Sequence, residues 1–121
     1  MASWAKQHNK IFVPCVGPGY ADDRIRPWNA SNFRARDGGR YYDHMFAKAL
    51  AIEPQFIGIT SFNEWQEGTQ IEPAKAKTVG DYHYLDYAPL ARDYYLRRTA
   101  YWSQRTNAGQ GSRLKEQATN D

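Results

Sequence analysis

An α/β fold with parallel strands is what this 121-residue chain predicts, and three stretches predict it. Ile11 to Val16 is a short apolar run bounded by polar residues and a glycine, which reads as a buried strand. Arg40 to Ile52 repeats apolar side chains at helical spacing, with Tyr42, Met45, Phe46, Ala49 and Leu50 on one face, and stops before Glu53-Pro54. Phe56-Ile57-Gly58-Ile59-Thr60 is apolar and β-branched, as in a strand buried on both faces. Strand, helix and strand in this order make a βαβ unit, whose strands run parallel and whose crossover is right-handed.

The flanking segments follow from the same signals. Ala2 to Asn9 reads as the end of an amphipathic helix, with Trp4 as its apolar anchor and His8-Asn9 as its stop. Pro14 lacks a ladder donor and favours an edge or a bulge in the first strand, where Cys15 fills space as a small apolar residue. Gly17 to Gly39 loses all apolar periodicity and predicts a long functional loop. Ala74 to His83 reads as a polar loop, and Leu85 to Tyr87 as a segment laying aromatic groups back over the site. From Ala88 or Pro89 to Arg105 the pattern is helical again, with Leu90, Tyr94, Tyr95, Tyr101 and Trp102 inward and Arg92, Arg97, Arg98 and Arg105 outward. A folded unit over 1–106 and a disordered polar tail over 107–121 are expected.

Composition excludes several functions. A hydrophobic share of 41% with 15% aromatic residues is that of a globular chain. The net charge of +3 is mild and its basic residues are scattered, which argues against nucleic acid as a partner. A basic RNA-binding module is the remote third reading. One cysteine excludes an internal disulfide and a cysteine-based zinc site. His8, His44 and His83 lie far apart, so neither a metal nor another cofactor is expected. No signal peptide and no run of about 18 apolar residues is present, hence no membrane segment is expected in this chain.

The chemistry concentrates just after the second strand. Asn63-Glu64-Trp65-Gln66-Glu67-Gly68 sets two carboxylates around an indole in a turn at a strand's C-terminal end. Cleaving a glycosidic bond needs one group to protonate the leaving oxygen and another to supply or unmask a nucleophile. Two carboxyl groups share these roles when charge and burial separate their proton affinities. Spaced three apart on a helical turn they lie about 5–6 Å apart at Cβ, near enough for one substrate. A bare ExxE is usually a solvated turn; Trp65, Asn63 and the preceding strand are what lift this one above that reading. In the long loop Tyr20, Arg26, Trp28 and Asn29 suit sugar binding, since aromatic faces stack on C–H surfaces while Arg and Asn donate to hydroxyls. Trp28 packing its own loop is an equal alternative. Asn29-Ala30-Ser31 fits the N-glycosylation pattern and is expected to go unused beside a site.

At these residues the sequence resembles a known family. ITSFNEWQEGTQIEP looks like the signature of glycoside hydrolase family 99, the endo-α-1,2-mannosidases, which reads close to SFNEWHEGTQIEP; Gln66 stands here in place of the histidine. Val16 to Tyr20 (VGPGY), Ile25 to Asn29 (IRPWN) and Tyr84 to Tyr87 (YLDY) resemble further family segments in the same order. The resemblance implies a retaining endo-glycosidase on a (β/α)8 barrel that needs no metal. It implies that Glu64 deprotonates the sugar's own 2-hydroxyl, giving a 1,2-anhydro intermediate, and that Glu67 is the general acid/base. Tyr20, Arg26, Trp28, Asn29, Asn63, Trp65 and Gln66 are the expected substrate-binding residues. The substrate implied is an oligosaccharide, the glucosylated high-mannose arm of an N-glycan. Gln66 can hydrogen-bond but cannot relay a proton as imidazole does, so a binding-only relative is the alternative. A complete barrel takes about 250 residues. The expectation is therefore the C-terminal portion of one, the last two βα units and flanking helices, with the N-terminal part of the barrel as partner. Eukaryotic relatives of this kind imply the Golgi lumen.

Overall fold

The computed structural model describes residues 1–23 and 25–106. Helix α1 spans Ala2–Gln7 and ends at His8, with Asn9 at φ 52° turning the chain away. Strand β1 (Cys15–Val16) and strand β2 (Gly58–Ile59) pair in parallel, Cys15 beside Gly58 and Val16 beside Ile59. Between them lie two short 3-10 segments, Pro27–Asn32 and Asp37–Gly39, and helix α2 over Arg40–Ala51. The parallel βαβ order expected from the sequence is thus present. Pro14 does not interrupt it, because only its carbonyl is used, accepting from the Gly58 N–H at 2.9 Å.

After β2 the chain makes a 3-10 turn at Trp65–Glu67. It then forms an antiparallel hairpin of β3 (Lys77–Val79) and β4 (Tyr82–Tyr84), and a last helix, α3, described over 94–106. The hairpin corrects the polar loop expected over Ala74 to His83. Val79 and Tyr82 close on Gly80-Asp81, with Gly80 at φ 59°, the positive angle that the first residue of a two-residue hairpin turn requires. Helix α3 starts later than Pro89. The segment before it winds through separate turns, with Leu90 N–H donating to Tyr87 O and Tyr94 N–H to Ala91 O.

The core lies between α2, α3 and the segment after the 3-10 turn. Val16, Tyr42, Phe46, Ala49, Ile71, Ala74, Tyr87 and Tyr95 are buried together. Tyr42 meets Phe46 edge-on at 4.9 Å and Tyr95 at 5.5 Å, while Phe46 stacks on Trp102 at 5.6 Å. Such ring pairs add to the burial of their area. The apolar face expected for α2 is the buried one, and His44 is exposed. Arg98 does not face outward as expected. Its guanidinium grips the Asp43 carboxylate, Nη2 to Oδ2 at 2.8 Å, and lies over the Tyr101 ring. Trp102 Nε1 donates to the same carboxylate, so α2 and α3 are locked by one acid that two donors share.

Burial fails where the strands were expected to be covered. Ile11, Val13 and Phe56 are exposed at 63%, 44% and 60%, and Cys15 is exposed rather than packed. Each strand of a parallel sheet needs a neighbour on both edges and a layer on both faces to be buried; among the described residues β1 and β2 pair with no strand but each other. Trp4 is no anchor either: it is exposed and stacks on His8 at 4.2 Å, while Ala5 is the buried residue of α1.

The tail expected over 107–121 lies outside the described residues.

Candidate active site

The chain leaves β2 through Thr60 and Ser61, and hydrogen bonds fix the turn beyond them. Ser61 Oγ accepts from the Glu64 N–H at 3.0 Å and shares a 2.8 Å bond with Thr69 Oγ1. Glu64 O in turn accepts from Thr69 N–H. Gly68, at φ 61°, reverses the chain where an added methyl would meet Ala21 N at 3.1 Å, so only glycine allows the motif to lie on the long loop. The result is that Glu64 caps one end of the 3-10 turn and Glu67 closes the other. Glu64 is exposed, whereas the Glu67 side chain is 34% exposed.

The long loop wraps the Glu67 end. Ala21 N–H donates to Glu67 O at 2.8 Å, and Tyr20 pairs with Arg34 to close the loop on itself. Inside it sits Asp22, 2% exposed. Its Oδ2 accepts from Tyr20 Oη at 2.7 Å, Arg26 Nη1 at 2.9 Å and Asn29 Nδ2 at 3.2 Å, and its Oδ1 accepts from Asn29 Nδ2 at 3.0 Å. The same Arg26 Nη1 reaches Glu67 Oε1 at 3.3 Å. The Tyr20 hydroxyl, then Arg26 and Asn29, hold the Asp22 carboxyl below its ordinary 3.8, and that hydrogen bond in turn pushes the Tyr20 phenol up. The carboxylate lies just under the surface, screened by its own donors rather than by depth. Asn29 spends its amide nitrogen on Asp22 and Tyr20, the atom a glycan at the Asn29-Ala30-Ser31 sequon would take.

Trp65 divides two grooves. One, of about 800 Å³, is lined by Asn63, Glu64, Trp65, Gln66, Glu72 and the hairpin residues Lys77 and Tyr84 among others. The other, of about 500 Å³, runs along Tyr20, Phe33, Arg36, Gln70 and the same Trp65. The indole is half-buried, donates through Nε1 to Glu72 Oε1 and meets Tyr84 edge-on at 6.3 Å. The indole thus lines both grooves with its Nε1 already engaged.

Of the residues singled out by sequence, Tyr20, Arg26, Asn29 and Glu67 meet around Asp22. Asn63, Glu64, Trp65 and Gln66 meet in the larger groove. Trp28 joins neither group through a hydrogen bond and stands 81% exposed on its 3-10 turn, so it does not pack its loop down. Sequence reasoning missed Asp22, Glu72 and Arg36. Asp22 carried a signal, because it precedes Arg26 by four, the spacing of an ion pair on one turn. Arg36 carried none: its Nη2 donates to Gly68 O at 2.9 Å and Gln70 O at 2.8 Å while its carbon lies over the Tyr87 and Tyr95 rings. The Tyr87 hydroxyl, with one proton to donate, lies 2.8 Å from Glu72 O and 3.0 Å from Gln70 O, and burial pushes its phenol up to about 12.

Among the described residues no group of three or more His, Cys, Asp or Glu side chains could hold a metal ion, and no helix is long and apolar enough to cross a membrane.

Comparison with known proteins bears on this geometry. The model of glycosyl hydrolase family 99 matches residues 1–108. A glycoprotein endo-alpha-1,2-mannosidase of Rattus norvegicus is 49% identical over 105 residues, which are 87% of this chain and 23% of that protein. A glycoprotein endo-alpha-1,2-mannosidase-like protein of Mus musculus is 50% identical over 97 residues, covering 80% and 22%. Two solved structures of the GH99 endo-alpha-mannosidase from Bacteroides thetaiotaomicron match. One, in complex with BIS-TRIS-propane, has a TM-score of 0.86 at 56% identity over 93% of this chain and 35% of that one. The other has a TM-score of 0.83 at 58% identity over 88% and 31%. The chain spans about a quarter of the length of the curated relatives it matches.

Proposed function

Because the chain belongs to glycosyl hydrolase family 99, we propose that it carries the catalytic end of a retaining endo-α-1,2-mannosidase acting on glucosylated high-mannose glycans. The observation that carries this is the pair Glu64 and Glu67 at opposite ends of one 3-10 turn, the first open to solvent and the second held beside Arg26 at 3.3 Å. In the first step Glu64 takes the proton of the sugar's 2-hydroxyl as O2 attacks C1. The bond from C1 to the leaving oxygen breaks, and Glu67 protonates that oxygen. Glu67 then takes a proton from water, which attacks C1 and opens the 1,2-anhydro ring, and Glu64 returns its proton to O2. Two inversions at C1 give net retention, and neither glutamate bonds to the sugar.

Arg26 engages Asp22 more closely than Glu67, at 2.9 Å against 3.3 Å. Tyr20, Arg26, Trp28 and Asn29 on the loop, and Asn63, Trp65 and Gln66 on the motif, are the substrate contacts of this reading. Gln66 is exposed beside Glu64, a place for positioning a hydroxyl. Residues 1–106 would form the C-terminal part of a (β/α)8 barrel, and the exposed Ile11, Val13 and Phe56 support this, being side chains that further strands would cover. The eukaryotic relatives are glycoprotein-processing enzymes by name, which supports the secretory pathway, and the Golgi lumen within it, as the place of work.

The test is release of a glucosyl-mannose disaccharide from a glucosylated high-mannose glycan by the 121-residue chain, beside Glu64→Gln and Glu67→Gln. Release by the parent and a loss of about 100-fold or more in both variants is expected. Undiminished release in either variant would overturn the assignment, and no release from a folded parent would put the activity in a longer chain.

A further inference from the structure

Asp22 takes no part in these proton transfers, yet it is the most heavily used acid near the site. It accepts from three side chains, is 2% exposed, and shares the nitrogen of Arg26 that reaches Glu67. We propose that Asp22 is a positioning residue. It holds the Arg26 guanidinium at a fixed place beside Glu67 and takes up most of its charge, so that Arg26 aligns the general acid without closing a full ion pair on it.

The geometry is graded in the sense this requires. One guanidinium nitrogen serves two carboxylates, with the shorter contact to the buried one. Tyr20 and Asn29 brace that carboxylate from its other sides, so it cannot swing after Arg26. Arg26 is, among the described residues, the one side chain hydrogen-bonded to the Glu67 carboxylate. Among the described residues, the charged and titratable groups around Glu67 are Arg26, then Asp22 and Tyr20 behind it on the loop, and Glu64 across its own turn. Removing the charge of Asp22 both deletes a neighbouring anion and frees Arg26 to pair with Glu67. Both effects favour the ionised form of Glu67.

This inference rests on the reading of Glu67 as the acid, but its test does not depend on turnover. The side-chain carboxyl carbons of the glutamates are followed by NMR against pH in the 121-residue chain, with the Glu67 resonance identified by its loss in Glu67→Gln. In Asp22→Asn the Glu67 resonance is expected to titrate at lower pH than in the parent. A merely structural anchor predicts otherwise, since a loosened loop would carry Arg26 away and leave the titration unchanged or moved upward; either result overturns the proposal. Should Asp22→Asn fail to fold, Tyr20→Phe decides. It removes one competitor for Asp22, draws Arg26 further from Glu67 and moves the titration to higher pH, and no movement or a downward one counts against the proposal. A chain that fails to release disaccharide but shows the downward shift would retain this inference and lose only the assigned activity.

Discussion

The segment from Phe56 to Pro73 is held in two unlike ways on its two sides. Towards α2 and α3 its backbone is fastened to side chains that are themselves packed: Tyr87 and Arg36 bind its carbonyls, and Tyr95 and Tyr42 lie beneath with 1% and 0% exposure. Towards β1 it has a two-residue ladder, and the apolar side chain of Phe56, just before that ladder, is exposed at 60%. The sequence on the second side is the more hydrophobic, yet it is the less buried. Apolarity states what a residue can gain, and only neighbours decide whether the gain is realised.

Truncation on the packed side should break this contrast most. Phe46→Ala removes a ring that is 2% exposed and touches Tyr42 and Trp102, and about 3–5 kcal/mol of stability is expected to go with it. Urea unfolding followed by tryptophan fluorescence measures this; a loss as small as that of a surface change would mean the packed side is not the core. Arg36→Met keeps most of the stem but removes the donor to Gly68 O and Gln70 O. Losing charge-assisted hydrogen bonds at a half-buried site is expected to cost about 2 kcal/mol. A neutral outcome would show that the rings alone fix the motif.

Acid should release the loop while leaving the ring-packed side intact. The folded value of the Asp22 carboxyl is depressed, so its contribution is present above the unfolded value and is lost as pH falls through the folded one. The stability gap between the parent and Asp22→Asn is therefore expected to hold at neutral pH and to close below 3.8, the ordinary value. A gap independent of pH would refute the ionic part of the cluster. The smallest effect belongs to the open side. Phe56→Ser is expected to change stability by less than about 0.5 kcal/mol and to reduce association of the chain, read by light scattering. A large loss of stability there would mean that this face is covered in solution.

Legibility in the sequence divides along the same line. Helix α2 was readable because its period is local and its face is buried within this chain, and the parallel strand pair because strand, helix and strand succeed one another. The hairpin was overlooked although Gly80-Asp81 between β-branched and aromatic residues is a turn signal; the lysines and threonine around it read as loop. Burial of Ile11, Val13, Cys15 and Phe56 was overestimated, because it depends on strands that no local pattern supplies. Around the carboxylates, residues close in sequence were readable together. The junction of Arg26 with Glu67, 41 residues apart, and the reach of Arg36 to the motif exist only once the chain is folded. Asp43 gathering Arg98 and Trp102 from α3 is of the same kind.

The clasp made by Arg36 has one more consequence. It grips carbonyl oxygens of Gly68 and Gln70, groups that every amino acid carries, so this grip does not depend on the side chain displayed at position 66. The identity of the residue at position 66, a glutamine here, leaves that grip untouched. Chemistry at the tip can drift from one generation to the next while the scaffold that aims it stays as it was.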